Sequence, residues 1–154
     1  MKKLHVSLAV ENLDNSVKFY STLFGSEPTM LKEDYAQWII DDPSVNFSIA
    51  AKGGTPGFNH VGIQAETEEE LQEMYARVRE TDGVLVEQGQ TVCCYAESNK
   101  NWVVDPQEVR WEVFHTTRRT EHFGTAGIAK QSEGGCCGGV GASAPIVEID
   151  GVKS

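Results

Sequence analysis

His5-Val6-Ser7-Leu8-Ala9-Val10 and His60-Val61-Gly62-Ile63-Gln64-Ala65 read as two copies of one pattern, and the offset that superposes them also carries Tyr20 onto Tyr75. Such self-similarity marks a supersecondary unit used twice. Each copy opens with an alternating, strand-like segment and passes through a polar turn into helical spacing. In the first, Asn12 or Asp14 caps a helix running to about Phe24, with Leu13, Val17, Tyr20, Leu23 and Phe24 on its apolar face and Gly25 ending it. In the second, Thr67 precedes Glu68-Glu69-Glu70, acids suited to the positive end of a helix dipole; Leu71, Met74, Tyr75 and Val78 form the stripe, and Gly83 closes the helical region. Three strand-like segments follow each helix, at about 28–32, 35–41 and 45–50, then at about 85–88, at 90–96 continuing toward 102–104, and at 109–114. Asp42-Pro43-Ser44-Val45 and Asp105-Pro106-Gln107-Glu108-Val109 introduce the last strand of each set.

The pattern predicts an α+β fold of duplicated βαβββ modules, residues 3–52 and 57–116, joined through Gly53, Gly54, Pro56 and Gly57 in a single domain spanning 1–118. Residues 119–154, with Gly134-Gly135-Cys136-Cys137-Gly138-Gly139, read as a flexible Gly/Cys-rich tail in which Ile146-Val147-Glu148-Ile149 is a stray strand.

With 154 residues the chain is the length of one ordinary domain. At that length about two thirds of the unfolded surface is buried, so folding needs neither disulfide nor metal. Apolar residues at 40% and charged ones at 23% fit a globular protein and exclude a disordered chain or coiled coil. The excess of 23 acids over 13 bases, a net charge of −10, opposes nucleic acid and anionic membrane surfaces as partners. No run of 18 apolar residues occurs, and the stretch after Met1-Lys2-Lys3 is short and lacks a cleavage site, which predicts a cytoplasmic protein. The four cysteines fall in two adjacent pairs, Cys93-Cys94 and Cys136-Cys137, a spacing suited to reduced thiols rather than a disulfide framework.

Strand alternation assigns faces. Leu4, Val6, Leu8 and Val10 oppose His5, Ser7 and Ala9; Val45, Phe47 and Ile49 oppose Asn46, Ser48 and Ala50. Val61, Ile63 and Ala65 oppose His60, Gly62 and Gln64; Val109, Trp111 and Val113 oppose Arg110, Glu112 and Phe114. In each strand the first face suits packing under a helix. If the two sheets curl into a cup, the second faces meet and bring His5, His60 and Glu112 together, with Ser48 at the position equivalent to Glu112 in the first copy.

Two imidazoles and one carboxylate with the remaining positions open form the facial triad of non-haem iron(II) oxygenases; the same donors accept Zn, Ni or Co. The alternative is a pair of structural histidines with Glu112 matched to Arg110 or a lysine. Two histidines at the same place in both copies, with an acid on the matching last strand, favour the metal.

Adjacent thiols at Cys93 and Cys94 suit a soft, thiophilic atom such as Zn, Cu(I), Cd or trivalent arsenic. In a regular strand they would point to opposite faces, so joint binding requires a bulge or loop. The polar run Glu97-Ser98-Asn99-Lys100-Asn101 predicts that residues 93–101 are irregular or mobile and swing over the cup.

The duplicated plan with its His-His-Glu set resembles the vicinal-oxygen-chelate superfamily, home of glyoxalase I and extradiol dioxygenases. Several segments are similar to the C–As lyases within it: Asn12-Leu13 through Ser16, Phe19-Tyr20, Leu23-Phe24-Gly25, Asp34-Tyr35-Ala36 with Trp38, Pro43-Ser44-Val45-Asn46-Phe47, Thr91-Val92-Cys93-Cys94-Tyr95-Ala96, Trp102 through Asp105-Pro106, and Trp111-Glu112 followed by Phe114. The resemblance covers roughly residues 3–116, and Cys-Cys-Tyr-Ala is its most specific part. It implies a curved mixed-sheet cup, His5, His60 and Glu112 as Fe(II) ligands, and O₂ as co-substrate. It implies Cys93 and Cys94 as the thiols that bind the arsenic of methylarsenite or a trivalent aromatic arsenical, whose carbon–arsenic bond is broken to release arsenite. Cys136 and Cys137 then read as accessory thiols that collect and deliver thiophilic metal, and the protein as a monomer or homodimer acting on a small molecule. Two rivals are a thiol-based cadmium- or arsenite-binding stress protein and a glyoxalase-like isomerase.

Overall fold

The computed structural model describes residues 1–121 except Gly53 and Asp82. The tail with Cys136 and Cys137, and the stray strand at 146–149, lie outside the described residues. The elements run β1 (Lys3–Ala9), α1 (Leu13–Phe24), β2 (Met30–Leu31), β3 (Tyr35–Ile40), β4 (Val45–Ala50), β5 (Gly57–Ala65), α2 (Glu68–Arg79), β6 (Val84–Cys93), β7 (Ala96–Val104) and β8 (Arg110–Arg119). β-α-β-β-β is therefore traced twice.

Helix ends follow capping chemistry. Asn12, not Asp14, caps α1, its side chain accepting from the Asn15 N–H at 2.9 Å. Gly25 leaves the helix at φ 66, a left-handed conformation that glycine adopts without a Cβ clash. Thr67 caps α2 ahead of its three acids.

One eight-stranded mixed sheet has the order β2-β3-β4-β1-β5-β8-β7-β6. Each module contributes four neighbouring strands, and the halves meet where β1 and β5 pair antiparallel. The last strand of each module lies parallel to its first: β4 beside β1 and β8 beside β5. Behind the first half, α1 covers Val6, Leu8, Ala36, Trp38, Phe47 and Ile49; behind the second, α2 covers Ile63, Ala65 and Val113. With the apolar faces thus covered from outside, the concave face is left to His5, Ser7, Asn46, Ser48, His60 and Glu112, all buried.

The second module departs from expectation at its hairpin. The strand expected to end at residue 88 continues through Gly89, which takes φ 68 at a bulge between Glu87 and Gly89, and β6 runs on to Cys93. The turn is Cys94-Tyr95, with φ of 53 and 61. Left-handed φ at both central positions marks a type I′ hairpin, usually Asn-Gly. Residues 96–101, expected to be irregular, belong to β7 and pair with both β6 and β8, with one register shift against β8 between Glu97 and Ser98. Two ladders satisfy that polar run's backbone and override its loop-like composition.

Candidate metal centre

His5 on β1, Gly62 on β5 and Glu112 on β8 are register partners, so they form one row across the middle of the cup. Gly62 contributes no side chain between the other two. A Cβ there would sit 2.2 Å from the Glu112 backbone oxygen, so this close approach of β5 and β8 requires glycine. His60 enters from the next row, opposite Ser7. The β1–β5 register shifts beside it, and this irregularity sets Asn59 next to the imidazole.

The three side chains converge. His5 Nε2 and His60 Nε2 stand 3.2 Å apart, and Glu112 Oε2 lies 3.7 and 3.5 Å from them respectively. A point equidistant from these atoms is about 2.0 Å from each, the length of a metal–nitrogen or metal–oxygen bond. His5 Nδ1 donates to the Asn46 carbonyl at 3.0 Å, and His60 Nδ1 donates to Asn59 Oδ1 at 2.6 Å. With the hydrogens so placed, both Nε2 lone pairs face the carboxylate. Three electron-rich atoms aimed at one point suit a cation between them, so the donor set fits a divalent metal.

Lys100 was not among the residues singled out by sequence. It is buried on β7, and its Nζ donates to Glu112 Oε1 at 2.8 Å, leaving Oε2 for the histidines. Glu112 therefore does have the lysine partner that the rival reading required, but through the oxygen the metal position does not use; Arg110 instead lies over the Trp102 ring. Burial opposes the charged form of Glu112, but Lys100 and the two imidazoles outweigh it and hold the carboxyl far below the usual range. Burial pushes His5 down to about 4, against the pull of Glu112, so its ring is neutral, as a ligand must be.

Trp102 and Phe114 pack against His60 and His5, with ring centroids 5.1 and 5.2 Å apart. Cys93 and Cys94 line the same cup. The left-handed turn resolves the difficulty posed by alternation: the two Sγ atoms lie 3.2 Å apart rather than on opposite faces. Tyr95 donates to Asp34 Oδ1 at 2.6 Å, and Lys52 to Asp34 Oδ2 at 2.7 Å. The bond to Asp34, with burial, pushes the Tyr95 phenol up to about 12. Burial works against the charged form of Asp34, but its two donors hold the carboxyl below the usual range.

A twice-repeated βαβββ unit curled around a buried His-His-carboxylate set that could hold a metal ion defines a class of duplicated cup proteins. Residues 3–113 match the Glyoxalase/Bleomycin resistance protein/Dioxygenase superfamily, and the chain belongs to it. It is 40% identical over 129 residues, covering 81% of this chain and 80% of the other, to a trivalent organoarsenical cleaving enzyme of Bacillus sp. (strain MD1). It is 33% identical over 151 residues to the cadmium-induced protein CadI of Mycobacterium tuberculosis (strain ATCC 25618 / H37Rv), covering 93% of this chain and 99% of the other. The fold is shared with the Mn(II)-bound glyoxalase of Novosphingobium aromaticivorans, at TM-score 0.55 and 13% identity, over 78% of this chain and 42% of that one. Among the described residues no helix is long and apolar enough to cross a membrane.

Proposed function

We propose that the protein is an iron(II)-dependent dioxygenase that cleaves the carbon–arsenic bond of trivalent organoarsenicals, methylarsenite or an aryl counterpart, to arsenite, and so detoxifies them. The observation that carries this reading is the shared cup: a paired thiol couple opens into the same cavity as the His-His-Glu set. A diol or hemithioacetal gives a protein no reason to place two thiols there, whereas a thiophilic centre does. The 40% identity to an organoarsenical cleaving enzyme supports the substrate class.

On this reading His5, His60 and Glu112 hold the iron, and Cys93 and Cys94 hold the arsenic. Each cysteine sulfur displaces one hydroxyl from the arsenical, leaving as water, so two S–As bonds replace two O–As bonds and the organic group stays on arsenic. Thiolates make this exchange, so capture weakens at acid pH. When bound, iron(II) supplies activation of dioxygen beside the carbon–arsenic bond. The chain's part is orientation. Asn46 and Asn59 fix the imidazole tautomers, and Lys100 occupies Glu112 Oε1 so that the carboxylate offers one oxygen. Trp102 and Phe114 shield the histidines from water. Holding the arsenical in the same cup turns an encounter between three reactants into a positioned reaction.

The likeness to CadI favours a second reading, a thiol-based sequestering protein for cadmium or arsenite. Full-length protein reconstituted with Fe(II) and given methylarsenite separates the two. Arsenic speciation is expected to show arsenite in air and none under strict anaerobiosis, with His60→Ala abolishing release while still binding the arsenical. Equal release without oxygen contradicts the dioxygenase. Stoichiometric capture without any release, lost on Cys93→Ser and Cys94→Ser, supports sequestration.

A further inference from the structure

We infer that the Tyr95 phenol and the Asp34 carboxylate form a latch that fixes the Cys93-Cys94 turn at the mouth of the cup, making both positioning residues for arsenical capture. The inference rests on the reading of Cys93 and Cys94 as arsenic ligands.

The turn is the reason the sulfurs are paired. Left-handed backbone at Cys94 and Tyr95 brings both Sγ atoms to one side, yet neither residue is a glycine or asparagine, which favour that conformation. A backbone in such a region relaxes unless its surroundings over-determine it. Here they do. Tyr95 donates to Asp34 at 2.6 Å, its ring packs on Tyr35 with centroids 5.8 Å apart, and Lys32 lies over its face. Its carbonyl accepts from the Thr120 N–H at 2.8 Å. Asp34 is buried and held in turn by Lys52.

The placement of the two residues matters as much as the bond. Asp34 sits between β2 and β3, at one end of the strand order, and Tyr95 at the tip of the hairpin that forms the other end. The pair therefore closes the curled sheet on itself. It sets the distance between the thiols and His5, which belongs to the module that Asp34 anchors. Neither residue is among the metal-centre donors, so stabilisation of the fold and positioning of the thiols are separable.

The test uses full-length protein carrying Cys136→Ser and Cys137→Ser, so that only Cys93 and Cys94 react. Tyr95→Phe removes the hydroxyl and keeps the ring; Asp34→Asn is the second variant. Each is expected to speed modification of the thiols by an aromatic disulfide reagent about 5–10-fold and to weaken phenylarsenite binding by a similar factor, the size expected for the loss of one ordinary hydrogen bond. The double variant should go little beyond either single one. Co(II) affinity at the histidines should stay within about two-fold, since none of its donors is touched. A lowered melting temperature with thiol reactivity and phenylarsenite affinity at the parent values overturns the latch. Retention of phenylarsenite by a Cys93→Ser, Cys94→Ser protein would instead remove the arsenic-ligand reading, and the thiol-modification rate would still decide the latch.

Discussion

Lys100 shows what a single residue adds to this site. A buried ammonium needs a partner, and its partner is the carboxylate aimed at the histidines. Lys100→Met should destabilise the metal-free protein by about 3 kcal/mol or more, because Glu112 then keeps a buried charge with one oxygen unmatched. Added Co(II) should restore more stability to this variant than to the parent, since the ion replaces the missing positive charge; equal thermal shifts would contradict this. His60→Ala removes one of three donors and should weaken Co(II) binding by at least about 100-fold in a titration of metal absorption. Asp34 supplies a pH dependence. Its folded-state pKa lies below the unfolded value of about 3.9, so its contribution is present above that pH and is lost as the pH falls through the folded value. The stability gap between parent and Asp34→Asn, about 1–2 kcal/mol near neutrality, should close below pH 4 in denaturant titrations.

At the scale of elements, what sequence could reveal depended on whether the signal was local. Period-two alternation put His5, His60 and Glu112 on one face of three strands, and the repeat made their convergence legible before any coordinates. Asn59 and Lys100 stayed hidden. Asn59 owes its place to a register shift, and Lys100 is brought to Glu112 by pairing of β7 with β8. The break between the segments at 85–88 and 90–96 proves to be a bulge at Gly89 within β6, and the hairpin turns at Cys94-Tyr95 under a tertiary grip no local pattern announces. Gly62 gives the sharpest test at this scale. Gly62→Ala would push β5 away from β8, and with them His60 from Glu112. It should cost about 1–3 kcal/mol in chemical unfolding and weaken Co(II) binding at least about ten-fold. Unchanged metal affinity would mean the strands can part without moving the ligands.

For the whole molecule, the proposed metal position is a joint between the modules: His5 comes from the first, His60 and Glu112 from the second. An ion bound there ties both halves of the sheet, so saturating Co(II) should raise the unfolding free energy by about 4 kcal/mol at a thousandfold excess over its dissociation constant. Each half also has its own apolar core behind it, and the cup between them is left for chemistry. The most direct measurement is anomalous diffraction from a crystal of the full chain soaked with Co(II) and phenylarsenite. Cobalt is expected on His5 Nε2, His60 Nε2 and Glu112, with arsenic on both Cys93 and Cys94 sulfurs in the same cup. Arsenic held only at Cys136 and Cys137, or cobalt away from the two histidines, would contradict it.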